Sequence, residues 1–525
     1  MIKNVARYFA ATALALSVSF ATSVSVLGSP RTPAPSPSPS GDTTPAPLPT
    51  ATPEPSNVAI PRLEAKIKEN PSDKEALQDL AGYYLGEGKP DQALALTQRL
   101  ISLGAKTAQV YYLDGIANQL LGRVKDETDD LEQATALDPT NPQILLTLTD
   151  LYLKTNRGAD AERVAKRATT FNPNDERVYE NYGLVLGQEG KFDDARTQFE
   201  AAAKIDPKDA TPIVLEARSY VSQKALALAA QDFDRALTVD PKSPDALLGK
   251  ASLLAANHDV KGAIPVFELL LTVEPSDDEK AAVLVQEYEL YRDEKMNDDA
   301  LATLKRAEAA FPNSSGVHLA YGDYDFQFAK DPKAGEAEWQ TALGPNRDNP
   351  QALDRLGEYA LSLNKKQDAL GYFKRLNEVV GADPGVLVKL GQVEALNNQF
   401  SDARQAYLQS FQLQHTPTAL AGLGAADLQL KNYKECKQVF GALDKNAPDF
   451  MNKDNPQLLY VYAKCAVAVS DKNTARSAYT RFKPFVKPGT QLAAEVNSAL
   501  ASLGSGSPAP KPKASAKPSP SAGSH

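Results

Sequence analysis

The chain has 525 residues, of which 42% are hydrophobic and 23% charged, with a net charge of −9. That acidity argues against a nucleic-acid ligand, which needs clustered positive charge. The two cysteines and four histidines show no metal-ligand spacing, and runs of alternating β-branched residues are nearly absent, so neither a metal module nor a sheet is expected.

The first segment, residues 1–28, carries Lys3 and Arg7 and then an uncharged apolar run from Tyr8 to Gly28. This is a secretory signal pattern, with small residues at Ser19 and Ala21, or Val26 and Gly28, for cleavage. The run is also long enough to span a bilayer, so residues 8–28 would tether the chain to a membrane if left uncleaved. No cysteine precedes Cys436, which excludes a lipidated amino terminus. Residues 29–56 are rich in Pro, Ser and Thr, cannot bury a core and favour extended polyproline II. They read as a disordered, semi-stiff linker holding a domain away from a membrane or wall. An exported chain, periplasmic or at the cell surface, is the expectation.

Ile60 to Glu69 reads as a helical half unit. From there a strict period begins. Pro71, Ala105, Pro139, Pro173, Pro207, Pro241 and Pro275 lie 34 residues apart. Proline lacks an N–H and disfavours helix at the residue before it, so each is a helix stop. A stop recurring at this period marks an array of paired helices. Twelve residues before successive stops lie Ala93, Glu127, Ala161, Ala195, Ala229 and Ala263, and twelve further back Ala81, Gly115, Thr149, Gly183, Ala217 and Ala251. Small residues at both sites suit two closely packed antiparallel helices. Phe199, Phe233 and Phe267, four residues beyond Ala195, Ala229 and Ala263, lie on the same helical stripe. Glu127 breaks the pattern, so distortion or a local register error is expected in the second unit.

At this point the chain resembles the tetratricopeptide repeat family, best over residues 176–207, where Tyr179, Tyr182, Gly183, Leu186, Gly190, Ala195, Phe199, Ala202 and Pro207 match its pattern. The resemblance implies an all-α, right-handed α-solenoid superhelix of about twelve helix-turn-helix repeats over residues 57–504. The strict register covers 71–275. It loosens over 276–489, where Pro312 follows after 37 residues and implies a small insertion, and the turn around Asp331-Pro332 is lengthened. Residues 490–503 read as a capping helix. Residues 505–525 form a disordered Pro/Ala/Ser tail with Lys511, Lys513 and Lys517. Both ends are net positive, so the array between them is more acidic than the whole chain.

Candidate chemistry is sparse. His258, His318 and His415 read as turn or surface residues rather than ligands, and Trp339 as core. Gly86-Glu87-Gly88-Lys89 and Gly187 to Lys191 lack the Ser or Thr and the preceding strand of a phosphate loop, and read as turns in which glycine supplies the left-handed residue. Cys436 and Cys465 fall in adjacent units. A disulfide is open to them in an oxidising compartment, but free, small core residues is the preferred reading.

The resemblance also implies a function. In the family the first helices line a concave face and bind protein or peptide. Carried over, that face comprises Gln78, Tyr112, Leu146, Glu180, Val214 and Leu248, then Gly82, Ile116, Asp150, Leu184, Arg218 and Ser252 one turn on. The lysines and asparagines with which chaperone-binding members hold a peptide carboxylate are missing. Tyr112, Leu146, Leu184, Val214 and Leu248 instead suggest an apolar-centred groove. The expected role is a scaffold or adaptor without cofactor, metal or catalysis. A docking platform for cell-envelope assembly or polysaccharide secretion is the alternative, and an enzyme accessory subunit a more distant one.

Overall fold

The structure is a computed structural model that describes residues 54–274, 276–344 and 348–504. The signal, nearly all of the linker, Pro275 and the basic tail lie outside the described residues. The described residues are helical, without a strand among them, and group into two compact units, one up to Thr303 and one from Leu304 onward.

In the first unit a single helix, Ser56–Glu69, precedes helix pairs such as Lys74–Gly86 with Pro90–Ser102, Ala108–Leu120 with Val124–Leu137, Pro142–Lys154 with Gly158–Phe171, and Glu176–Gln188 with Phe192–Ile205. Two sets of residues mark each pair. Pro71, Pro139, Pro173, Pro207 and Pro241 sit in turns between pairs. Two residues after the repeat position, the side chains of Asp73, Thr107, Asn141, Asp175 and Ser243 accept backbone N–H groups of the following helix. These caps satisfy donors that a helix start otherwise leaves open. Within each pair the chain reverses through a left-handed residue at Gly88, Gly122, Asn156, Gly190, Lys224 and His258, again 34 residues apart. Glycine was expected at the turns around Gly88 and Gly190, and it supplies the left-handed residue at both. The structure puts Asn, Lys and His at the same φ.

The small sites are buried throughout, but glycine makes room chiefly for an aromatic ring. A Cβ on Gly183 would stand 2.4 Å from Phe199 Cε1. Where the aromatic position is Ala165, the facing helix offers the larger Thr149, and both are fully buried. Glu127 corrects one expectation. The helix Val124–Leu137 is regular and in register, and the Glu127 carboxylate accepts a 2.9 Å hydrogen bond from Gln119 Nε2. A buried acid at the small site is tolerated because it has a donor beside it.

The 37-residue step is absorbed by a longer first helix, Asp277–Asp293, of 17 residues. In the second unit, wide π turns at Asp325–Ala329 and Phe450–Asp454 interrupt the pairs. Trp339 is buried and donates from Nε1 to Asp323. His318 corrects another expectation: it is buried, held by Glu338 at 2.7 Å and by the Pro312 carbonyl at 2.9 Å. Cys436 and Cys465 are joined in a disulfide with Cα atoms 5.9 Å apart, not left as free core thiols. The last helix, Gln491–Ser502, is capped by Thr490 and buries Val496.

Candidate functional site: the row of first helices

The residues expected to line the groove lie on successive first helices, but their exposure differs from the expectation. Tyr112 and Val214 are buried, while Gln78, Leu146, Ile116 and Leu248 are half-buried. Of the apolar members only Leu184 is well exposed, at 45%. An apolar-centred groove is therefore not what this row presents. Tyr112 and Val214 turn inward because their helices pack side by side, and each helix covers part of its neighbour's row.

The polar members are linked from one repeat to the next. Gln143 Nε2 donates to the Tyr112 hydroxyl at 3.3 Å, and Asn181 Nδ2 donates to Asp150 Oδ1 at 2.8 Å. Arg218 pairs with Asp245 at 2.5 Å, and the Ser252 hydroxyl donates to Gln286 at 3.3 Å. Each link spans about one repeat, so the row is a ladder of side chains bridging neighbouring first helices. Sequence reading missed the partners Gln143, Asn181, Asp245 and Gln286. The repeat period says that a neighbour lies about one unit on, but the offsets vary from 27 to 34 residues, so it does not say which residue that is.

Glu180 is the least compensated group. Its Oε1 is buried without a hydrogen-bond partner among the described residues. Burial, with Asp209, Glu176 and Asp175 nearby, pushes its carboxyl up to about 8, and Arg177 opposes this only in part. Burial likewise raises Asp150, against the Asn181 hydrogen bond. The row thus presents an acidic, partly dehydrated centre flanked by Leu184 and Arg218. A carboxyl kept protonated near neutral pH both donates and accepts, so such a surface favours hydrogen-bonding groups on a partner.

Family models described as tetratricopeptide repeat match residues 129–180, 176–209 and 214–279. Between residues 129 and 279 the chain is thus built of tetratricopeptide repeats. Human tetratricopeptide repeat protein 7B is 28% identical over 126 residues, which is 24% of this chain and 15% of that relative's length. Among solved structures, the tetratricopeptide repeat protein YrrB, described as having an unusual peptide-binding site, is 24% identical with a TM-score of 0.31, over 36% of this chain and 97% of its own. A tetratricopeptide repeat protein from Parabacteroides merdae is 16% identical with a TM-score of 0.35, over 55% of this chain and 98% of its own. The Cut9–Hcn1 hetero-tetramer matches at 13% identity and a TM-score of 0.34, over 86% of this chain and 93% of the matched one. Tetratricopeptide repeats typically serve protein–protein interaction, and typically without catalysis.

Proposed function

We propose that this chain is a non-catalytic interaction scaffold outside the cytoplasm, holding a peptide segment or partner protein along its first-helix row. The observation that carries the reading is the repeat itself, matched in three segments between residues 129 and 279. Two residues per repeat, one turn apart, lie on the row, so a partner is read in steps of one helix. The carboxyls of Asp150 and Glu180, both raised by burial, favour a partner with amide or hydroxyl groups opposite them.

Export is supported by Lys3, Arg7 and the apolar run that follows, and by the Cys436–Cys465 disulfide, since such bonds persist in oxidising compartments. Two measurements test the proposal. A photo-crosslinking residue at Leu184, on a first helix, should capture a discrete partner in the native cell. The same residue at Leu228, an equally exposed leucine on a second helix, should not. The reverse result would place binding elsewhere. A reporter active only outside the cytoplasm, fused after residue 56, should score positive. Activity of a cytoplasmic reporter at the same position would refute export.

A further inference from the structure

The second helices Val124–Leu137 and Gly158–Phe171, with the first helix Pro142–Lys154 between them, enclose an open cleft of about 410 Å³. Its floor includes Leu148, Tyr152 and Val164, all buried, and its rim carries Arg157, Arg163 and Arg167 with one carboxylate, Glu132, which the Tyr152 hydroxyl and Arg157 already engage. It does not belong to the row described above. Successive residues of a helix are about 100° apart, so Leu148 and Tyr152 point roughly opposite to Leu146 and Asp150.

The three arginines are not equivalent. Arg157 is fully engaged: it pairs with Asp160 at 2.7 Å and Glu132 at 3.3 Å, and its guanidinium lies 4.1 Å over the Tyr152 ring. It acts as a fixed wall. Arg163 gives one N–H group to Asp160 at 3.0 Å and keeps others free. Arg167 has no carboxylate partner among the described residues, and its guanidinium lies 5.7 Å from the ring centroid of Phe171, which is half exposed. Two guanidiniums with unused donors therefore stand at the mouth of an apolar-floored cleft, on a chain whose net charge is −9. A guanidinium fork matches a carboxylate in shape and charge. An apolar floor adds nothing for a bare inorganic anion but accepts an aliphatic or aromatic side chain.

We propose that this cleft is a second binding site, taking an acidic peptide segment whose carboxylate pairs with Arg163 and Arg167 while an adjacent apolar side chain enters between Leu148, Tyr152 and Val164. The site faces away from the first-helix row and does not depend on it.

A fluorescein-labelled octapeptide of alternating glutamate and leucine, titrated into the full chain at about 50 mM salt, tests the proposal. It should bind more tightly than an octapeptide of alternating glutamate and serine, which has the same charge. Arg163→Glu with Arg167→Glu should weaken binding by about tenfold or more, and Arg167→Ala alone by several-fold. Circular dichroism should be unchanged in both variants, since neither side chain is buried. Leu184→Asp, on the first-helix row, should leave this binding intact. Equal binding of the serine peptide, insensitivity to the arginine changes, or loss through Leu184→Asp would each overturn the proposal. The last result would assign the peptide to the row and support the scaffold reading instead.

Discussion

At Lys224 the backbone adopts φ 60°, as it does at Asn156 and His258, at the turn position that Gly88, Gly122 and Gly190 fill in other repeats. An L-residue there costs roughly 1–2 kcal/mol, against which glycine loses more chain entropy on folding. Lys224→Gly should therefore stabilise by about 0.5–1 kcal/mol, read as a higher urea midpoint at unchanged slope. Gly190→Ala should shift the midpoint the other way. Glu180 was expected on the exposed face of the first helices. Its half-buried carboxyl, pushed up to about 8, makes it sensitive to pH instead. The folded chain holds that proton more tightly than the unfolded chain. Its contribution to stability is thus full below the ordinary carboxylate range and is lost as pH rises towards 8. Glu180→Gln should flatten the fall in stability between about pH 5 and 8 and leave the variant the more stable at the upper end. A parallel slope in the two proteins would refute this.

Between elements, the contact that limits approach is glycine against an aromatic ring. Gly183 faces Phe199, Gly357 faces Phe373, Gly424 faces Phe440, and Gly249 faces Phe233 from the next repeat. The sequence register placed Ala195 opposite Gly183; the ring of Phe199 is what fills that space. Both positions are completely enclosed, so the same physics applies to each. Gly183→Ala or Ala195→Leu must move the ring or part the helices, at a cost of about 1–3 kcal/mol. Because repeats touch only their neighbours, the damage should stay local. Hydrogen exchange should rise over residues 140–240 and remain low over 350–500. Uniform loss of protection along the chain would contradict nearest-neighbour stacking.

At the scale of the whole molecule, the two units carry different vulnerabilities. In the unit ending at Thr303, burial pushes Asp130 and Asp232 up to about 6, and Glu279 is raised to about 7, chiefly by its hydrogen bond with Glu274. With Glu180 they should make this unit less stable as pH rises from about 5 to 8. Asp73 and Asp160, lowered by a backbone N–H and by Arg163 respectively, act in the opposite sense: their contribution is present at neutral pH and is lost only as pH falls into the acid range. In the unit starting at Leu304, the disulfide spans a sequence separation of 29. Reduction, or Cys436→Ser, should remove about 2–4 kcal/mol there and lower its calorimetric Tm, with little change in the other unit. Equal shifts in both units, or none, would contradict this.

The sequence by itself determined the helices, their pairing and their stops, because those depend on local chemistry repeated at a fixed step. A proline at the repeat position ends the helix before it, and Ala, Gly and Thr at matched positions allow close approach whatever lies beyond. Only the tertiary structure decided what each row presents. Tyr112 and Val214 share the helical phase of the row, yet the neighbouring repeat buries them and leaves Leu184 in solvent. The partners of Asp150, Arg218 and Ser252 lie 27 to 34 residues away, so no local pattern identifies them. The same holds for Glu127 with Gln119, for His318 with Glu338 and for Cys436 with Cys465. In each, a polar or reactive group is accommodated by specific neighbours. Periodicity says that a neighbour exists, and three-dimensional packing says which atom meets it.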